Sequence, residues 1–190
     1  MPIRIAFVNG KGGVGKTTCA TLIAAALRDV GQAVYIEDRD PQQSATTAAG
    51  IFGLPLGSEG DIVIVDTAPT LQMESTIEAV RTADLVILVT TPSPLDLATT
   101  AATAQRILAE RPSGPVRILF NLVQTNNRFF GEMAEIAKEI PFPAFKHFLV
   151  RRTAYQVAQL RGWKSVPAAI REEVIQVTME LAAALPKPSV

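Results

Sequence analysis

The chain has 190 residues, 48% of them hydrophobic, which suits one compact domain with a sizeable core. Its 18 basic and 18 acidic residues balance, so composition gives no support to a strongly basic nucleic-acid-binding protein, although a local basic patch is compatible with it. The single cysteine, Cys19, excludes a disulfide framework within one chain. No apolar run approaches the roughly 18 to 20 residues that span a membrane, and the N-terminus leads directly into a predicted strand. We therefore expect a cytoplasmic protein.

Short apolar segments alternate with segments of helical spacing along the chain. In chain order, the pattern predicts strand 3–8, helix 16–29, strand 33–37, a fragment of helix within 44–60, strand 62–65, helix 74–82, strand 85–90, a helix that ends near residue 110, strand 116–120, helix 130–140, strand 144–149, and helices 153–161 and 168–185. This alternation predicts an α/β fold in three layers, a parallel sheet flanked by helices. We expect a single domain over residues 1–185 and a frayed tail over 186–190.

A glycine-rich loop separates the first predicted strand from the first predicted helix. Gly10, Gly15, Lys16 and Thr17 fit the phosphate-loop pattern G-x-x-x-x-G-K-[ST]. Backbone N–H groups of such a loop, together with the N-terminus of the following helix, bind phosphate oxygens. In this interpretation the Lys16 ammonium reaches the β- and γ-phosphates, and the Thr17 hydroxyl binds Mg²⁺.

The same glycines also fit a dinucleotide-binding pattern. Gly10, Gly12 and Gly15 match G-x-G-x-x-G, and Glu37 and Asp38 lie near the distance expected of an acid that binds a ribose. A dinucleotide-binding oxidoreductase is therefore an alternative that the glycines alone do not exclude. It gives no role, however, to the lysine and threonine that end the loop or to the acidic residues at two later positions.

Acidic residues follow two of the predicted strands. Asp66 ends an apolar run, as does the carboxylate that P-loop NTPases place beside Mg²⁺, usually through a metal-bound water. Asp38 and Asp40 follow the second strand, where one can face Mg²⁺ and the other the water that attacks the γ-phosphate. The alternatives are a capping residue for Asp66 and an Asp-Pro turn for Asp40.

Lys11 is a second lysine inside the loop. A standard phosphate loop needs only Lys16, so Lys11 is free for a role across a dimer interface. The alternative for Lys11 is a solvated loop lysine.

Several segments together resemble one family. Residues 11–18 resemble the deviant Walker A motif of the ParA/MinD family of ATPases. Asp38-x-Asp40-Pro41-Gln42 resembles its switch I region, and Asp66-Thr67-Ala68-Pro69 resembles its Walker B segment, with Ala68 in place of a proline. The resemblance covers nearly the whole chain and extends to the segment 92–96, to Asn121 and to the Arg151–Tyr155 pattern.

This resemblance implies a P-loop NTPase fold and a sandwich homodimer that binds ATP and Mg²⁺. Lys11, Lys16 and Asp40 are the implied catalytic residues, with Lys11 touching the nucleotide of the partner subunit. Thr17, Asp38 and, through water, Asp66 are implied at the metal. The implied nucleotide contacts are Gly12, Gly13, Val14, Gly15, Lys16, Thr17 and Thr18 at the phosphates, Asn121 at adenine, and Pro167 beside the base.

Members of this family that bind the nucleoid distribute plasmids, chromosomes or protein bodies, whereas MinD-like members bind membranes. The final predicted helix is acidic and rich in small residues, which favours packing over a membrane anchor. We therefore expect a nucleoid-associated partition ATPase that a ParB-like or other cargo-bound protein activates. An ATP-dependent metabolic ligase of the same class stays an alternative. The predicted non-specific DNA contacts form one basic stripe of Lys146, Arg151, Arg152, Arg161 and Lys164.

Overall fold

The computed structural model describes residues 1–126, 135 and 138–186. The strands are β1 (Ile3–Val8), β2 (Val34–Arg39), β3 (Ile62–Thr67), β4 (Leu85–Thr90) and β5 (Val116–Phe120). The helices are α1 (Lys16–Asp29), α2 (Ser44–Phe52), α3 (Glu74–Thr82), α4 (Pro94–Glu110), α5 (Thr153–Arg161) and α6 (Ala168–Ala183), with a short 3₁₀ turn, Trp163–Ser165, before α6.

The five strands form one parallel sheet in the order β2-β3-β1-β4-β5. Chain order reverses across β1, which lies at the centre of the sheet. Ligands of open α/β sheets bind where the strand order reverses, at the carboxyl ends of the strands. The glycine loop leaves β1 at this point, and β3 and β4 end on either side of it.

Alternate residues of the strands enter two separate cores. Ile5 and Phe7 pack on one face of the sheet with α1, α2, α5 and α6. Ala6 and Val8 pack on the other face with α3 and α4. Strands that helices cover on both faces consist mainly of consecutive apolar residues. In β4, for example, every residue is buried. The predicted three-layer α/β fold is confirmed.

Two segments of the predicted pattern differ in detail from the structure. The segment 44–60, predicted to hold only a fragment of helix, contains the nine-residue helix α2, which ends at Gly53 with φ 65°. Residues 144–149 do not form a regular strand, although isolated parallel bridges join Ile118 to Ala144 and Val123 to Val150. The predicted helix 130–140 lies largely outside the described residues. Among the helices that the structure describes, none is both long and apolar enough to cross a membrane.

Carboxylates take the place of a neighbouring strand beside the irregular segment. Glu180 of α6 accepts the backbone N–H groups of Lys146 and His147 at 2.8 and 3.0 Å. Glu173, two turns earlier on α6, accepts the N–H of Val150 at 2.7 Å. Because carboxylate side chains accept hydrogen bonds from these backbone N–H groups, the segment does not need the regular pairing of a strand. The strand-like periodicity of residues 144–149 therefore predicted the wrong element.

Candidate functional site

Two glycines of the loop have backbone conformations that other residues avoid. Gly13 has φ 83° and Gly15 has φ 88°, both in the left-handed region. A Cβ on Gly15 would lie 2.2 Å from Nδ2 of Asn121. The Asn121 amide is held there because it donates to the carbonyl oxygen of Val14 at 2.9 Å. Backbone strain and lack of space therefore both require glycine at position 15.

Helix α1 begins at Lys16, directly after Gly15, so its first N–H groups face the loop without helical partners. Lys16 is only 7% exposed, and its ammonium lies 3.4 Å from the carbonyl oxygen of Lys11. Burial lowers the pKa of Lys16, against the opposing charges of Asp66 and Asp40. The lysine lines a cleft of about 440 Å³ together with Gly12, Gly13, Gly15, Thr17, Thr18, Asp40, Gln42 and Pro69.

Asp66 lies beneath the loop with one unsatisfied oxygen. Its side chain is fully buried at the end of β3, and Oδ2 accepts the Thr17 hydroxyl at 2.6 Å. The other oxygen, Oδ1, has no hydrogen-bond partner among the described residues. Burial raises the pKa of Asp66 to about 7, although the Thr17 hydrogen bond and the Lys16 charge oppose this rise. A buried carboxylate oxygen without a donor fits the water shell of a divalent cation.

The two acids after β2 have different surroundings. Both oxygens of Asp38 are occupied, because Oδ1 accepts the N–H of Asp40 at 3.0 Å and Oδ2 accepts the N–H and hydroxyl of Thr46 at 2.7 and 2.9 Å. In this conformation Asp38 orders the turn and the start of α2, so metal binding by Asp38 stays a prediction. Asp40 lines the cleft and accepts the N–H of Gln42 at 3.0 Å.

The acid that a dinucleotide-binding site would need is not free. Glu37 accepts a hydrogen bond from Arg4 at 2.7 Å and a second from Arg39. Burial opposes ionisation of Glu37, but these two guanidinium groups hold its pKa below the ordinary value. Since both oxygens of Asp38 also accept hydrogen bonds, neither acid has an unpartnered oxygen for a ribose in this conformation.

Lys11 points away from Lys16 and toward helix α4. Its ammonium forms an ion pair with Asp96 in the first turn of α4. Asp96 also accepts the hydroxyl of Thr91, and both contacts hold its pKa below the ordinary value although burial opposes them. The side chain of Lys11 stays 38% exposed, and the neighbouring Leu95 is 75% exposed. The two loop lysines therefore occupy different environments, one inside the cleft and one at an open surface.

The structure contradicts the predicted position of Pro167. The Trp163 indole donates to Asp29, the last residue of α1, at 3.1 Å. Arg171, which follows Pro167 by one helical turn, lies 3.8 Å from the same carboxylate. Helix α1 has 14 residues and is about 21 Å long, so Pro167 lies at the end of α1 opposite the loop. Asn121 does lie at the loop, and its adenine contact stays a prediction.

The residues of the predicted basic stripe have three different sets of neighbours, and their joint contact with DNA stays a prediction. Lys146 and Arg152 lie beside the carboxylates of α6, where Arg152 pairs with Glu173 at 2.9 Å. Arg151 instead lines a cleft of about 380 Å³ with Gly13 and Pro94. The third group consists of Arg161 and Lys164, which join Arg28 around a cleft of about 560 Å³ at the C-terminal end of α1.

Two groups of residues at the site are not among those that the sequence predicted. Gln159 of α5 lines the phosphate-loop cleft, and its amide lies 3.4 Å from the hydroxyl of Thr21. Asn9 and Thr100 form buried hydrogen bonds behind the loop. No motif marks Gln159 because α5 reaches the cleft only through tertiary packing. Asn9, in contrast, directly precedes the loop, and a polar residue at the end of an apolar strand is a signal that could have found it.

Comparisons with known proteins agree with this geometry. The model of the CobQ/CobB/MinD/ParA nucleotide binding domain matches residues 5–165. Maintenance of carboxysome distribution protein A of Gloeobacter kilaueensis is 37% identical over 185 residues, which cover 85% of this chain and 82% of that protein.

Two solved structures share the fold. MinD in the Aquifex aeolicus MinC:MinD cell division complex has a TM-score of 0.79 at 14% identity, with 99% of each chain covered. A plasmid partition protein of Borrelia burgdorferi has a TM-score of 0.66 at 16% identity, covering 95% of this chain and 99% of that one. With the loop, Asp66 and the parallel sheet in the expected places, the chain belongs to the CobQ/CobB/MinD/ParA family of nucleotide-binding domains.

Proposed function

We propose that this chain is a Mg·ATP-dependent ATPase of the ParA type, which dimerises when it binds ATP and positions a cargo over the nucleoid. The observation that carries the proposal is the arrangement of Lys16, Thr17 and Asp66 beneath the glycine loop. Lys16 and Thr17 bring a buried ammonium and a hydroxyl to one cleft. The buried carboxylate of Asp66, with one oxygen unpartnered among the described residues, bonds the Thr17 hydroxyl from behind.

The loop and α1 bind the phosphates in this proposal. The free N–H groups at the start of α1 point to the place where the β- and γ-phosphates lie, and the helix dipole favours negative charge there. Lys16 neutralises part of that charge. Its 3.4 Å contact with a backbone carbonyl is long, and the carbonyl is a neutral partner, so a phosphate oxygen competes well for the ammonium.

Thr17 and Asp66 are the residues that would hold Mg²⁺, the Thr17 hydroxyl directly and the Asp66 carboxylate through water. The cation would supply neutralisation of the negative charge on the phosphates. The unpartnered Oδ1 of Asp66 supports this assignment because a buried, ionised carboxylate requires donors.

Asp40 is the residue that positions the attacking water. It follows β2 at the edge of the cleft that Lys16 lines, and among the described residues its carboxylate accepts one hydrogen bond, from the N–H of Gln42. The remaining lone pairs are free to accept a hydrogen bond from water. Because phosphoryl transfer depends on orientation more than on a strong base, one such acceptor supports slow, partner-stimulated hydrolysis.

Lys11 belongs to the dimer contact. It lies outside the cleft on a surface that also carries the exposed Leu95, and its ion pair with Asp96 is only partly buried. In the ATP-bound dimer, Lys11 contacts the nucleotide of the partner subunit. Because of this contact, dimerisation depends on bound ATP, and hydrolysis returns the chain to the monomer.

Non-specific DNA binding is assigned to the Arg28, Arg161 and Lys164 cluster. These three exposed side chains line one cleft, and none of them pairs with an acid among the ion pairs of the described residues. Asp29 also lines this cleft, but its carboxylate lies against Arg171 and Trp163. A dimer doubles the cluster, which strengthens binding to DNA phosphates. The relative from Gloeobacter kilaueensis is named for carboxysome distribution, which supports a protein body as cargo and a cargo-bound protein as activator.

Phosphate release by the purified chain tests the proposal. We expect Mg-dependent ATP hydrolysis that Lys16→Ala abolishes, because the variant loses the ammonium at the phosphates. Lys138→Ala is the matched control, since Lys138 is an exposed lysine paired with Glu135. Equal turnover by wild type and Lys16→Ala would refute the ATPase. Turnover that requires a small carboxylate or amine, and not DNA or a protein partner, would favour the ligase.

A further inference from the structure

A group of buried polar side chains connects the phosphate loop to helix α4. Asn9, at the end of β1, and Thr100, in α4, are both fully buried. The Asn9 amide donates to the carbonyl oxygen of Val89 at 2.7 Å and to the Thr100 hydroxyl at 3.0 Å. Its Oδ1 accepts the backbone N–H of Lys11 at 3.0 Å. Asn9 thus holds the backbone of the loop at Lys11.

The Thr100 hydroxyl is the centre of this group. It donates to the backbone carbonyl of Asp96 at 2.6 Å, lies 2.7 Å from the Thr90 hydroxyl and accepts the Asn9 amide. A hydroxyl has one proton and two lone pairs, and these three partners use all of them. Since Asn9, Thr90 and Thr100 are fully buried, removing the Thr100 hydroxyl leaves polar atoms of Asn9 and Thr90 that water does not reach.

The contacts close a ring around Lys11. Asn9 binds its backbone, and Asp96 binds its ammonium. Thr100 bonds both Asn9 and Asp96, so one hydroxyl fixes the loop relative to the first turn of α4. The ring contains none of the residues that line the phosphate cleft, and its one polar contact with them among the described residues is the long 3.4 Å contact between the Lys11 carbonyl and the Lys16 ammonium.

We propose that Thr100 is a positioning residue for dimerisation, whose hydroxyl holds Lys11 in the orientation that a second copy of the chain requires. This inference rests on the proposed function, in which ATP-bound chains pair through the surface that carries Lys11. Without the hydroxyl, Asn9 and the first turn of α4 lose a shared partner. The loop then samples more conformations at Lys11 in the monomer. Dimerisation must restrict these conformations, and the entropy that is lost weakens the dimer.

The test compares Thr100→Val, which removes the hydroxyl at constant shape, with Thr100→Ser, which keeps it. Thr178→Val is the matched control, since Thr178 is a buried helical threonine whose hydroxyl bonds the carbonyl four residues earlier, as Thr100 does. Sedimentation velocity with a non-hydrolysable ATP analogue and Mg²⁺ measures dimer dissociation. Binding of fluorescent ATP to dilute protein measures the nucleotide affinity of the cleft separately from dimerisation. We expect Thr100→Val to weaken the dimer about tenfold and ATP binding much less.

Thr100→Ser and Thr178→Val should dimerise within about twofold of wild type. Equal dimerisation by Thr100→Val and wild type overturns the inference and leaves the proposed function standing. Failure of Thr100→Ser to restore the dimer, or an equal loss of ATP binding in Thr100→Val, also overturns it. A wild-type protein that binds no ATP overturns the proposed function itself. Where Thr100→Val does not fold, Thr90→Val removes one of the three partners and should weaken the dimer about threefold.

Discussion

The phosphate loop and the basic residues of the last third of the chain differ in how their parts come together. The loop residues are adjacent in sequence, and one strand-loop-helix unit places them. The basic residues are spread along the irregular segment before α5, the end of α5 and the 3₁₀ turn, and the fold gives them different neighbours. Local chemistry therefore determines the first region, whereas tertiary packing determines the second. The predictions that follow separate these two regions by experiment.

Gly15→Ala should have the largest effect. The new Cβ meets Asn121, and the residue keeps a positive φ, so ATP affinity should fall on the order of 1,000-fold in a fluorescence titration. Gly31→Ala is the control, because Gly31 also has a positive φ, of 87°, but has open space around its Cβ position. ATP binding by Gly15→Ala at the level of Gly31→Ala would contradict the predicted role of the loop.

Asp40→Ala should uncouple hydrolysis from dimerisation. Without the carboxylate at the cleft, phosphate release should fall about 100-fold, while the ATP-bound dimer persists in size-exclusion chromatography. Asp61→Ala, at an exposed acid just before β3, serves as control and should hydrolyse ATP normally. ATP hydrolysis by Asp40→Ala at the wild-type rate would contradict the assignment of water positioning to Asp40.

Lys11→Ala should weaken the dimer more than it weakens ATP binding. Loss of a charge-assisted contact to the nucleotide of the partner subunit predicts a rise of about 10- to 30-fold in the dimer dissociation constant. Sedimentation velocity with a non-hydrolysable ATP analogue measures this constant. Lys146→Ala, an exposed lysine of the last third, should dimerise as wild type does. Dimerisation by Lys11→Ala equal to that of Lys146→Ala would exclude the cross-subunit contact.

The smallest effect concerns the basic residues of the last third. The double variant Arg161→Ala/Lys164→Ala should bind non-specific DNA about fivefold more weakly. The slope of log affinity against log salt concentration should become shallower, by the amount that corresponds to the loss of about two phosphate contacts per chain. Lys146→Ala/Arg152→Ala should change less, because Arg152 already pairs with Glu173. Fluorescence anisotropy over a salt series measures both. Equal losses in the two double variants would favour a single stripe and contradict the assignment of DNA binding to the cluster at the end of α1.

Sequence alone predicted the sheet, most helices and the loop correctly because each depends on local period or spacing. Asp66 also lies where an acid that ends a buried strand was expected, although only the fold shows its unsatisfied oxygen. Pro167 was placed wrongly because the chain between α5 and α6 leads to the far end of α1. The carboxylates that replace a strand beside residues 144–150 come from α6, more than twenty residues later, so no local pattern marks them.

The mass of the chain in solution with different nucleotides tests the central claim most directly. Light scattering after size-exclusion chromatography should give 20.3 kDa, the mass of one chain, with Mg·ADP. With Mg²⁺ and a non-hydrolysable ATP analogue at saturation it should give twice that mass. A monomer under both conditions, or the same dimer under both, would contradict an ATP-dependent dimer switch.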